Sequence, residues 1–168
     1  MYFCSAKRMV AHSKMNRLTY LIKAKTVYSV QSPLVYDLCT RVLWTPLSAV
    51  QCRRIGASRQ DDFAQLCYKT ANFLQPPHMA IPVADDYHRN AIAIGYPRTA
   101  VSAIADTDLQ SLPSGSVILL SKPHISSANE ELWHSLCSLP NRTAAIDIFS
   151  AGMVIIGRGM SRQDFLLR

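Results

Sequence analysis

SVILLS, residues 116 to 121, is an apolar run bounded by serines and broken by no charge. It is short for a helix, and its aliphatic residues do not alternate with polar ones as they would in a strand with one wet face. The reading that fits is a strand covered on both sides, the condition of strands inside a mostly parallel sheet. The stretch therefore points to an α/β architecture, with helices to be found before and after it.

Working outward, residues 79 to 83 and 100 to 105 read as two further short strands. Between them Asp85 or Asp86 caps a helix through Tyr96, whose end is marked by Gly95 and Pro97. Residues 106 to 115 form a loop that closes in a turn at Pro113, Ser114 and Gly115. Beyond SVILLS, Ser127 with Glu130 three places on fits a capping box for a helix carrying Leu132, Trp133 and Leu136. Strands over 143 to 149 and 153 to 157, linked by a turn at Ser150, Ala151 and Gly152, make an antiparallel hairpin. Residues 163 to 168 add a short edge strand.

Before residue 78 the period is helical. Residues 13 to 25 place Met15, Leu18, Leu21 and Ile22 at helical spacing, with Lys14, Arg17, Lys23 and Lys25 mostly around the other side. This is a basic amphipathic helix, and packing of its apolar stripe on the domain is the expectation; lying on a membrane surface is the alternative. Ser32 and Pro33 start a second helix, which Pro46 ends. A third opens at Ser58, with Asp61 and Asp62 in its first turn, and ends at Pro76. The expected organisation is one domain over 1–168: a disordered stretch over 1–12, helices over 13–77, and an α/β core over 78–168.

Composition narrows the compartment and the partners. Cys4, Cys39, Cys52, Cys67 and Cys137 are odd in number, scattered and never spaced as C-x-x-C, which argues against a disulfide frame and a zinc site. With no signal-peptide run and no membrane-spanning run, a cytoplasmic protein is the expectation. Residues 1 to 60 hold ten lysines and arginines against one acid, Asp37, while the remainder carries a small net negative charge. That basic region suits a solvated face, nucleic acid, an anionic membrane surface or an acidic partner.

Three stretches carry a resemblance to a known family. RLTYLIKAKTVYSVQSPLVYDL at 17 to 38, ELWHSLCSLP at 131 to 140 and IDIFSAGMVIIGRG at 146 to 159 resemble bacterial class I S-adenosylmethionine-dependent methyltransferases. The match covers both ends and little of the middle. It implies a Rossmann-like, mostly parallel sheet, preceded by N-terminal helices, ended by an antiparallel hairpin, and trimmed relative to the full fold. The missing length falls between residues 106 and 116.

The same resemblance says where the cofactor, S-adenosylmethionine, is to be sought. Such a fold needs glycines after its first strand so that the cofactor can approach the backbone. Here the chain runs through Pro82, Val83, Ala84, Asp85 and Asp86, with no glycine before Gly95. Asp85, Asp86 and, at the end of the second strand, Asp106 are the cofactor-binding candidates. After SVILLS, Ser121 and Lys122 stand where the family carries paired acids, and His124 and Ser126 remain. His124 is the catalytic candidate, as a base near neutrality; the plainer reading is a loop histidine satisfied by backbone or water. Trp133 and Leu136 read as core, and Glu130 and Glu131 as acids of the helix start. No metal site is expected, because His12, His78, His88 and His134 fall on separate elements.

Three functions follow. One is an active methyltransferase with an unusual cofactor loop. The second, favoured by the absent glycines and acids, is a degenerate methyltransferase-like protein that survives as a binding or scaffold protein. The third is a nucleic-acid-binding module using Lys14, Arg17, Lys23, Lys25, Arg53, Arg54 and Arg59, with Tyr20, Tyr28, Tyr36 and Trp44 at positions a helix can bury. A trimmed sheet edge further suggests a homodimer.

Overall fold

The computed structural model describes residues 16–26, 32–58, 60–157 and 162–167. The strands are β1 His78–Ile81, β2 Ala100–Ala103, β3 Val117–Ser121, β4 Arg142–Asp147, β5 Ala151–Ile156 and β6 Gln163–Leu166. They form one sheet in the order β2-β1-β3-β5-β4-β6. β1 lies parallel to β2 and β3, and β4 parallel to β6; only β5 runs against its neighbours. The sheet is thus mostly parallel, and the fold mixed α/β.

SVILLS lies inside this sheet, between β1 and β5. Its side chains alternate between two cores. Val117 and Leu119 meet Val35, Leu38, Leu66 and Cys67 from the N-terminal helices, while Ile118 and Leu120 meet Trp133 and Leu136. Burial of each such aliphatic contributes about 1.5–3 kcal/mol, and here both faces supply it. The continuous apolar run, with no polar alternation, follows from that two-sided cover.

The helices are α1 Arg17–Lys23, α2 Pro33–Leu38, α3 Ala49–Ile55, α4 Asp62–Leu74, α5 Asp86–Gly95 and α6 Ser127–Cys137. α2 begins as expected, with Ser32 accepting from the Val35 amide and Pro33 in the first turn, and continues as a π-helical turn over Cys39–Leu43. α5 is capped by Asp85. At its far end α5 crosses close to α4: a Cβ on Gly95 would stand 2.6 Å from the Tyr68 carbonyl oxygen.

Several boundaries differ from expectation for local chemical reasons. α4 starts at Asp62, not Ser58, because Asp61 accepts from the Ala64 amide and supplies the cap, while the Ser58 carbonyl accepts from the Asp61 amide and the Gln65 side chain. α3 was not anticipated, although Ser48 and Gln51 form a reciprocal capping box and Gly56 closes the helix at a left-handed φ of 70°. α6 is capped by Ser126 through the Asn129 amide, so Ser127 is already helical and Glu130 is no capping acid. The hairpin turn falls on residues 148 to 150, because Ala151 and Gly152 are already paired with Ser121 and Leu120.

The largest correction concerns α1. Leu18 and Ile22 are turned away from the described core, at 70% and 77% exposed, and Leu21 is only partly covered at 38%, while Tyr20 on the opposite side is 1% exposed. Met15, and with it the proposed start at residue 13, lies outside the described residues, as do 1–12. Tyr36 and Trp44 are exposed rather than buried. No helix among the described residues is long and apolar enough to cross a membrane.

Candidate functional site

Two features meet near the carboxyl end of β3: a buried charged cluster on the α6 side of the sheet and an open cleft beside α4. The cluster centres on His124. Its Nε2 lies 2.7 Å from Oδ2 of Asp147, the last residue of β4, and its Nδ1 lies 3.5 Å from Oε1 of Glu130 in the first turn of α6. The first is a strong hydrogen bond; the second is an ion-pair distance, too long for a good one. All three side chains are at least nine-tenths buried.

Strand periodicity explains why Asp147 is there. It follows Ala145 by two, so it points to the same face of β4, toward α6. The turn then uses its other oxygen, since Oδ1 accepts from the Phe149 amide at 2.8 Å. That bond holds Phe149 in the left-handed region, φ 65°, where its ring stacks on His124 with centroids 5.5 Å apart and meets Tyr20 edge-on at 5.0 Å. The Tyr20 hydroxyl, shared between the carbonyl oxygens of Asp147 and Leu167 at 2.7 Å each, closes the cluster from α1.

Electrostatics favour the charged form of the ring. Burial opposes a charge on His124, but the hydrogen bond to Asp147 and the charges of Asp147 and Glu130 outweigh it and raise its pKa. Burial first, and then the Asp147 charge, push the Tyr20 phenol upward, so it remains protonated. Both ring nitrogens face carboxylates. A general base must reach its proton within hydrogen-bond distance, and in this arrangement His124 presents no nitrogen to the cleft.

The cleft encloses about 580 Å³ and is lined by Trp44, Asp61, Phe63, Lys69, Lys122 and Ser150 among others. It is mixed in character. Lys69 donates to the Thr45 carbonyl at 3.1 Å, and burial lowers the pKa of its ammonium while Asp62 pulls it back. Asp61 is committed to the α4 cap and accepts from the Tyr87 hydroxyl at 2.7 Å. Lys122 sits at φ 47°, its amide bonded to the Ser150 carbonyl.

The chain matches no family model, no curated protein and no solved structure.

Asp85, Asp86 and Asp106 do not line this cleft. Asp85 is the α5 cap: one oxygen accepts from the His88 amide at 2.9 Å and lies 2.7 Å from His88 Nδ1. The His88 amide, with the His88 ring adding to it, holds this carboxyl below its usual pKa. Asp86 is exposed in the first turn of α5, and Asp106 is exposed at the end of a 3-10 turn over Ile104–Asp106. Between these positions runs Arg89. Its Nε donates to the Ala84 carbonyl at 2.7 Å and its Nη1 to the Val101 carbonyl at 2.8 Å, strapping the loop after β1 to β2.

Of the basic residues, Arg17, Lys23, Lys25, Arg53 and Arg54 are exposed; Lys14 and Arg59 lie outside the described residues. His78 bonds to Ser102 across β1 and β2, and His134 lies on α6, apart from His88. Among the described residues no group of three or more histidine, cysteine or acidic side chains could hold a metal ion.

Sequence reasoning missed Asp147 and the cleft lysine Lys69, and it placed Tyr20 at a buriable helix position, where it is 1% exposed, without seeing its hydroxyl's part in the cluster. Asp147 carried a signal: it is the one acid in the otherwise apolar strand AAIDIF, and an acid within a buried strand needs a partner. The Tyr20 hydroxyl and Lys69 carried none, because their partners are backbone carbonyls remote in sequence.

Proposed function

We propose that this chain is a methyltransferase-like protein, degenerate in its cofactor site, that works by binding rather than by methyl transfer. The observation that carries the reading is the Arg89 strap. A Rossmann-like fold receives S-adenosylmethionine over a glycine-bearing loop after its first strand; here that loop has no glycine, and Arg89 ties Ala84 to Val101 across the gap toward β2. One oxygen of Asp85 is already engaged by the helix cap and by His88. The residues present do not fit the cofactor.

Support for the ancestry comes from the resemblance of both chain ends and from the terminal hairpin, β4 with β5. His124 serves in this reading as a positioning residue that locks the loop after β3 to β4 and α6. The binding reading also includes a homodimer through β2, the edge of the sheet beyond β1. Sedimentation velocity that finds only monomer at high concentration would remove the dimer.

The deciding experiment is calorimetric titration of ligand-free protein with S-adenosylmethionine and S-adenosylhomocysteine. The expected result is no heat and no change in Tm at millimolar ligand. Micromolar binding of either would overturn the reading in favour of an active methyltransferase whose cofactor loop works without glycines.

A further inference from the structure

The exposed stripe on α1 calls for an occupant. Leu18 and Ile22 stand at i and i+4 and are 70% and 77% exposed, with Leu21 beside them at 38%. The helix cannot simply roll to bury them. Tyr20, on the opposite side, is held through its hydroxyl by the Asp147 and Leu167 carbonyls, Ala24 is buried beside it, and the Lys25 amide donates to the Leu166 carbonyl at 2.8 Å. Turning Leu18 and Ile22 inward would turn Tyr20 out. α1 is therefore presented as a fixed ridge, apolar side outward.

Its charge selects the partner. α1 contains no acid, Arg17 and Lys23 stand at its two ends, Lys25 follows directly, and all three are exposed. We infer that α1 is a contact for an anionic lipid surface, with Leu18, Leu21 and Ile22 inserted at the boundary of headgroups and acyl chains and Arg17, Lys23 and Lys25 among the phosphates. Aliphatic side chains flanked by cations suit that boundary, where the alkyl stems of lysine and arginine lie along apolar surface while their charges reach the headgroups. Nucleic acid fits less well, since leucine and isoleucine offer no face for base stacking. A second copy packed through the same patch would bring its own cations against these. This inference goes beyond the proposed loss of methyl transfer and stands on α1 alone, so titration with S-adenosylmethionine leaves it untouched.

The test is co-sedimentation of the full chain with phosphatidylcholine vesicles, with and without phosphatidylglycerol, at low and at raised salt. Binding is expected only to the phosphatidylglycerol vesicles and is weakened by salt. The double substitution Leu18→Ser with Ile22→Ser keeps every charge and alters only exposed side chains, so Tm stays near that of the parent; vesicle affinity falls by about tenfold or more. Arg17→Gln with Lys23→Gln produces a similar loss. Val83→Ser, at another exposed aliphatic away from α1, leaves binding unchanged. The inference is overturned if anionic vesicles are not bound at low salt, if the Leu18/Ile22 variant binds as well as the parent, or if Val83→Ser costs as much. RNA or DNA binding in the absence of vesicle binding would overturn it in favour of a nucleic-acid contact.

Discussion

His124 and Asp147 come from different elements and meet at 2.7 Å in the interior, with Glu130 on the far side of the ring. A single imidazole therefore lies between two buried acidic side chains, an arrangement that favours its protonated form.

The sign of the pH dependence follows. The folded pKa of His124 is raised above its ordinary value of 6.5, so its contribution is complete below that value and is lost as pH rises through the folded pKa. Urea unfolding followed from mildly acidic to alkaline pH should show stability falling on the alkaline side. In His124→Gln that slope should be absent and stability at neutral pH lower by about 3–5 kcal/mol, the usual cost of removing one partner from a buried charged group. A parental slope unchanged by the substitution would mean that another group titrates.

Tyr20→Phe removes the hydroxyl shared by the Asp147 and Leu167 carbonyls while keeping the ring against Phe149. We expect a loss of about 1–2 kcal/mol, since backbone acceptors are left short of a donor. Hydrogen exchange should show it as faster exchange of the α1 amides with little change in β3. Uniform acceleration across the sheet would mean that Tyr20 supports the whole fold.

Gly152→Ala puts a methyl group against the indole of Trp133, with Cε3 at 2.7 Å and Cη2 at 2.8 Å from the added carbon. Neither β5 nor α6 can move without disturbing the core, so the expected destabilisation is about 1–3 kcal/mol, read as a lower Tm and altered tryptophan fluorescence. An unchanged Tm would show that Trp133 has room to shift.

Burial pushes the Cys39 thiol up to about 11 and the Cys137 thiol up to about 12, and raises Cys67 further. The thiolate is the reactive form. Iodoacetamide at neutral pH, with peptide mapping, should leave Cys39, Cys67 and Cys137 largely unmodified in the native protein and modify them after denaturation. Rapid native labelling of Cys39 or Cys67 would indicate that the π-helical turn or α4 opens readily.

Much of the architecture was written in local patterns. The proline start of α2 and the Asp85 cap of α5 depend on residues within a few positions of one another, and the unbroken apolar run of SVILLS is itself a local pattern, although the helices that cover its two faces come from elsewhere in the chain. Boundaries failed where neighbouring polar residues competed for one role: Asp61 displaced Ser58 as a cap, and Ser126 displaced Ser127. The α3 helix was legible in Ser48, Gln51 and Gly56 but lay between stronger signals.

The sequence by itself determined the mixed α/β character, the order of the main elements, the absence of glycine after β1 and the uneven basic charge. Each is a property of adjacent residues or of composition. Only the tertiary structure decided that Glu130 faces His124 instead of capping a helix, that Asp147 completes the cluster, that Arg89 straps Ala84 to Val101, and that Leu18 and Ile22 point outward. The physical reason is the same in each case. These side chains answer to partners in other elements, and the amphipathic period of α1 says which residues share a face without saying which face the domain will bury. Tyr20, by finding the carbonyls of Asp147 and Leu167, chose the other one.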